Sequence, residues 1–270
     1  MNTKLDVGNV FERIFRIYRE QFTLLVPAAL VLFVPVAILI GAVQTGGGVL
    51  AVIVAGVLGA VAGYWYQGMV VEAALDIMDG RRDHTVGSLL TSVTPVIVPL
   101  LVAGLLAGIG IGIGFILLIA PGLFLLTIWA VIAPVIVVER SGALGSFGRS
   151  RELVRGHGWQ VFAVIVVLFL LNLVLGAVVQ LIFVGISDSI VGFALSNLLT
   201  NVLVAPLSAL AAAVMYFELK RMAGEGAVPA GAAVTPAAPG PEAPAPPAPG
   251  PQAPGPHSPA PERPDSTTGE

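Results

Sequence analysis

The chain has 270 residues, 56% of them apolar and 11% charged, with a net charge of −3 and a mean hydropathy of +0.94. Soluble domains carry about 25% charged residues, so a water-soluble fold, which could not bury this much apolar side chain, is excluded. There is no cysteine, which excludes disulfides, thiolate metal sites and cysteine nucleophiles, and no basic patch with interleaved aromatics points to nucleic acid.

In chain order, residues 1–21 are polar and amphipathic. Apolar residues at 10, 11, 14, 15, 17, 18 and 22 make one helical stripe, with Arg13, Arg16 and Arg19 largely off it, which predicts a helix lying in the membrane interface. Residues 22–43 are a full span long and lack a small-residue cleavage site, so they read as a retained first transmembrane helix rather than a signal peptide. A turn over 44–48 returns the chain through 49–71. Residues 95–138 hold 44 positions without a charge; one helix of that length would measure about 66 Å, so the block must turn. Pro121-Gly122 marks the place, giving spans at 95–119 and 122–138. The last block turns at 185–189 between spans at 159–184 and 190–217. From residue 223 onward 14 of 48 residues are proline, which predicts an extended, disordered arm. The domains are therefore a six-span membrane unit, 1–222, and a tail, 223–270. Whether the tail docks a protein partner stays open.

Of 13 lysines and arginines, 12 fall in four short segments: Lys4 to Arg19, Arg81-Arg82, Arg140 to Arg155, and Lys220-Arg221. All four lie on one side of the six spans, and the three turns on the other side carry none. The positive-inside rule then puts both termini in the cytoplasm of a multi-pass plasma-membrane protein. Each hairpin follows a similar phrase: Val7-Gly8-Asn9-Val10, Val86-Gly87-Ser88-Leu89 and Leu144-Gly145-Ser146-Phe147. This predicts a pseudo-threefold arrangement of interfacial helix plus hairpin. The middle copy fits least well, because Pro95 follows so soon after Gly87.

Residues with chemical potential are few. Glu72 and Asp76, spaced i, i+4, share a helix face, and acids inside a membrane segment are candidates for function; a helix emerging into water is the other reading. Glu139 closes the fourth span, and Arg149, Arg151, Glu152 and Arg155 follow on one helix, placed to grip lipid phosphates or to pair with Glu72 and Asp76. Asn172, Gln180, Asn197 and Asn201 lie inside the last hairpin as interhelical hydrogen-bonding groups or as a polar transport path. Gly104, Gly108 and Gly112, like Gly59 and Gly63, repeat at four-residue spacing, which suits close helix packing. His84, His157 and His257 are scattered, and no nucleophile elbow, zinc motif or phosphate loop occurs. No catalytic residue, metal or cofactor is expected.

Pro121-Gly122-Leu123 through Trp129, the run Ala133-Pro134-Val135-Ile136-Val137-Val138-Glu139, Gly142-Ala143-Leu144 with Arg149-Ser150, and Leu153-Val154-Arg155-Gly156 before Trp159 carry a resemblance. The stretch resembles the membrane domain of bacterial glycerophosphoryl diester phosphodiesterases and related inner-membrane proteins. The resemblance covers about 40 residues closely, and the layout of 1–222 agrees with it. It implies a helical membrane module that handles or presents lipid-derived substrate. It does not imply hydrolysis, which in those relatives belongs to a separate barrel domain. The expected fold is an all-α polytopic bundle. The expected function is a non-enzymatic scaffold or lipid-associated module with membrane lipids, and a membrane or cytoplasmic protein, as partners. A transporter or lipid-translocating protein is the second reading and an intramembrane enzyme the third.

Overall fold

The computed structural model describes residues 5–44, 46, 48–78, 85–183 and 190–225. Among the described residues every regular element is helical, and six segments are long and apolar enough to cross a bilayer. Arg81, Arg82, Asp79, the predicted turn at 185–189 and the tail beyond 225 lie outside the described residues.

Helix α1 (Val7–Glu20) is capped by the Asp6 carboxylate, which accepts from the Gly8 and Asn9 amides. Its stripe Val10, Ile14 and Ile17 is buried, while Phe15 and Phe22 of the predicted stripe remain exposed. Helices α2 (Phe22–Gln44) and α3 (Val49–Met78) form the first hairpin around Gly46, whose φ of +135° is open to glycine. Tyr66 of α3 donates to the Leu25 carbonyl of α2 at 3.1 Å. Helix α4 (Val86–Val93) starts with a capping box between Thr85 and Ser88. A single 3₁₀ turn containing Pro95 joins it to α5 (Ile97–Leu117).

The α5–α6 reversal falls on one extended residue, Leu118, and not at Pro121-Gly122. Proline lacks an amide hydrogen and fits the first turn of a helix, so α6 (Ile119–Ile128) begins two residues before Pro121. Gly122 serves a different purpose: a β-carbon on Gly114 would stand 2.9 Å from the Gly122 Cα, so these two glycines let α5 and α6 touch backbone to backbone. The fourth span is not one helix either. It breaks at residues 129–131 and resumes as α7 (Ile132–Glu139). Pro134 cannot donate to the Ala130 carbonyl and sits in the first turn of the new helix, which accounts for the break. The irregular backbone is tolerated because it is largely covered by protein: Val131 is buried, and the Ile128 carbonyl accepts from the Ser150 hydroxyl at 2.8 Å.

Helix α8 (Ala143–Val154) is more than an interfacial helix. Ser146 and Ser150 are fully buried on its inner face, and small side chains there let it press onto α5, α6, α7 and α10. In this third copy of the phrase the cap is Gly142, with no side-chain cap bond. Its Gly145-Ser146 pair therefore lies one residue deeper in the helix than Gly8-Asn9 and Gly87-Ser88 in the first two copies. Helix α9 (Gly158–Phe183) follows, then α10 (Ile190–Met222).

Helix α10 is the hub, packing on α1, α2, α3, α7, α8 and α9. Ala209, Leu210, Ala211, Ala213, Val214, Met215 and Tyr216 are buried in succession, as expected of a helix surrounded on all sides, and its alanines keep the neighbours close. Both α3 and α10 run on as unbroken helices beyond the predicted ends at 71 and 217, because their polar last turns find partners at the bundle end. The outer faces are apolar and uncovered: Leu50 and Ile53 of α3, Leu105 and Ile109 of α5, Phe169 and Leu173 of α9. Lipid is the solvent that such faces require.

The four-spaced glycines are used only in part. Gly104 lies under the Tyr64 ring, whereas a β-carbon at Gly63, Gly108 or Gly112 would meet nothing within 4 Å. Close approach depends instead on Gly68, Gly110, Gly114 and Gly122.

Candidate functional site at the charged end of the bundle

The ends of α3, α7 and α10 meet α1 and α8 in one layer of charge, and Glu139 is its centre. Arg149 Nε donates to Glu139 Oε2 at 3.0 Å. The Tyr216 hydroxyl donates to Oε1 at 2.8 Å and Lys220 Nζ to the same oxygen at 3.4 Å. Lys220 also donates to the Tyr216 oxygen at 3.1 Å, with its ammonium 5.5 Å from the Tyr216 ring centre. Arg149 reaches Glu152 at 3.2 Å and pairs with Glu225. The carboxylates of Glu225 and Glu139, opposed by burial and aided by Glu152, hold the Arg149 guanidinium well above its ordinary range. It stays charged.

Two more pairs complete the layer. Arg140 takes a left-handed backbone conformation (φ +50°) at the end of α7. From there its guanidinium reaches Glu72 at 2.6 Å and the Ser92 carbonyl at 3.3 Å. Arg13 of α1 pairs with Glu218 of α10, which also holds Arg221 at 2.5 Å. A polar cleft of about 330 Å³ opens beside this pair, with Asp6, Asn9, Glu12 and Arg16 on its walls.

The predicted site residues thus separate into groups. Glu139 and Arg149 come together. Glu72 pairs with Arg140, not with the α8 arginines, and Asp76 sits half-buried one turn farther along α3. Neither acid lines this cleft or the clefts beside α6. Arg151 is exposed on α8. The amides do not converge on one track: Asn172 donates to its own Leu168 carbonyl at 2.7 Å, Gln180 accepts from Ser196 at 3.3 Å, and Asn201 donates to the Asn197 carbonyl and side chain at 2.8 and 2.9 Å. Tyr216 and Glu218 belong to the charged layer without having stood out in the sequence, while Arg13 and Lys220, expected only as parts of basic segments, join it as ion-pair partners. For Tyr216 the signal available in sequence was its i, i+4 spacing to Lys220. Among the described residues no cluster of His, Cys, Asp and Glu could hold a metal ion.

The class follows from these observations: a multi-pass, all-α integral membrane protein whose spans face lipid and whose charged side chains, among the described residues, gather at one end. No protein-family model, curated protein or solved structure matches the chain.

Proposed function

We propose that this protein is a lipid-associated scaffold of the cell membrane, with both termini cytoplasmic and no chemistry of its own. The observation that carries this reading is the division of labour among its charges. Glu72, Glu139 and Glu218 are each ion-paired to a residue of another element, so they tie helices together. Arg16, Arg19, Arg151 and Arg155 project from the same end, exposed, at the level where anionic headgroups lie. The amides of the last hairpin bond within their own helix or to a hydroxyl of the facing helix, which favours a packing role over a transport path. The resemblance in residues 121–159 to the membrane domain of the glycerophosphoryl diester phosphodiesterases points the same way, by analogy.

Extraction in a mild detergent followed by native mass spectrometry tests the proposal. Retained phospholipid, alone or with a protein partner, is the expected result. Recovery of the bare, lipid-free chain would overturn it.

A further inference from the structure

A groove runs down the outside of α6 between α8 and α9. Its upper part, about 510 Å³, has Phe124 and Ile128 of α6 on one side and Arg151 and Glu152 of α8, with Arg155 just beyond its end, on the other. Phe124, Ile128 and Gly158 also line a second, almost wholly apolar part of about 370 Å³, walled by Leu123, Trp159 and Phe162. The shared residues make it one continuous groove, and each part has the size of a ligand pocket. Local sequence explains the opening. The Ser150 hydroxyl draws α8 onto the Ile128 carbonyl. Gly148, Gly156 and Gly158 then leave space where side chains would stand, and Gly156 (φ +88°) turns the chain into α9.

The charges at the rim are distinctive. Arg13, Arg140 and Arg149 are engaged by carboxylates. Arg151, in the last turn of α8, and Arg155, its C-cap, line the same part of the groove and have no carboxylate partner among the described residues. Glu152, the acid at the same rim, is held by Arg149 at 3.2 Å. Below the arginines the surface is apolar. The Thr127 hydroxyl is used by the Leu123 carbonyl at 2.7 Å, and Trp159 stacks on Phe162 with ring centres 5.4 Å apart, in the manner of a tryptophan at the headgroup level.

We propose that this groove binds one glycerophospholipid with an anionic headgroup. Arg151 and Arg155 hold its phosphate through forked hydrogen bonds, and an acyl chain lies against Leu123, Phe124 and Phe162. Charge complementarity selects this occupant: two unpaired guanidiniums directly above an apolar trough match a phosphate directly above a hydrocarbon chain. An apolar helix of a partner would leave both arginines without a counter-charge. The inference rests on the lipid-associated reading and narrows it to one site and one ligand class.

The test is native mass spectrometry of the full chain purified in detergent with phosphatidylglycerol and phosphatidylcholine supplied together. The wild-type chain should retain phosphatidylglycerol in preference. Arg151→Gln/Arg155→Gln should lower that preference by roughly tenfold to thirtyfold, taking about 1 kcal/mol per arginine near the headgroups. Arg19→Gln, an exposed arginine away from the groove, should not change it. Ala120→Trp, which fills the apolar part, should reduce retention of both lipids at this site, and circular dichroism checks that each variant is folded. Lipid retained equally by the wild type and the α8 double variant would overturn the site while leaving the lipid-associated reading intact. The same holds for an equal loss in Arg19→Gln, or for a protein found in the groove in place of lipid. A wild-type chain that retains no lipid would overturn both.

Discussion

Glu139 accepts hydrogen bonds from Arg149, Tyr216 and Lys220, side chains contributed by α8 and α10, while its own helix supplies only the carboxylate. Removing it breaks the ion pairs with Arg149 and Lys220, leaving Arg149 with Glu152 and Glu225 and taking from Lys220 the carboxylate it faces. Full burial of such a pair makes breaking it cost 3–5 kcal/mol. Here the side chains keep about a fifth of their surface exposed, so Glu139→Ala is expected to cost about 2–3 kcal/mol. Tyr216→Phe removes one donor and should cost roughly 1–1.5 kcal/mol. Both values are read as a lowered thermal midpoint in detergent, with Glu139→Ala the larger drop. Tyr18 behaves in the opposite way. Its buried hydroxyl has no hydrogen-bond partner among the described residues, and burial pushes the phenol pKa up. Tyr18→Phe should therefore lose no stability and gain up to about 1 kcal/mol; a clear drop in the same melting experiment would show that the hydroxyl is engaged. Of these residues, Glu139 and Arg149 were legible in sequence because charge at the end of an apolar run is conspicuous. Tyr216 and Glu218 were not, since their role depends on which helix end lies beside theirs.

At the scale of elements, glycines and prolines decide where helices touch and stop. Gly114 and Gly108 look alike in sequence, yet one faces the backbone of Gly122 and the other faces open space. Gly114→Ala must push α5 and α6 apart and should cost about 1–3 kcal/mol. Gly108→Ala should be neutral or stabilising by about 0.5–1 kcal/mol, the helix penalty of glycine. The comparison is a pair of thermal midpoints, and equal shifts would contradict the packing described. Spacing alone picked Gly104, Gly108 and Gly112 as a face. The structure uses Gly104, Gly110 and Gly114, because the helix meets a ring from α3, a ring from the α6–α7 break and the α6 backbone in turn. The two breaks around α6 were half legible. Pro121 announced the first but lies in the first turn of α6, and Pro134 lies likewise in the first turn of α7, after the second break. A proline shows that an amide is missing; where the chain leaves its helical path depends on what can cover the exposed carbonyls, here the Ser150 hydroxyl on α8.

Over the whole molecule, the six spans and their pairing were legible because uncharged length leaves few choices in a bilayer. The central position of α10 was not, since its hydropathy resembles that of its neighbours and only the run of alanines hinted at it. The cysteine-free chain allows a direct check of topology with single cysteines and a membrane-impermeant maleimide. Gly46→Cys should label from the side opposite Leu144→Cys, which lies exposed at the start of α8. Leu118→Cys should label from neither side. Labelling of 46 and 144 from the same side would contradict the six-span arrangement.

That last expectation follows from the one-residue bend itself. From residue 95 to residue 126 the chain has no polar side chain. At the bend the backbone largely provides for itself, the Leu118 amide donating to the Gly114 carbonyl at 3.0 Å. Ile116, Leu117, Leu118 and Ile119 all face outward. During biogenesis this hairpin has no hydrophilic loop to be carried through the hydrocarbon layer. It can enter from the side on which it is made, already doubled back on itself, whereas the hairpin built around Gly46 must deliver its polar turn to the far side.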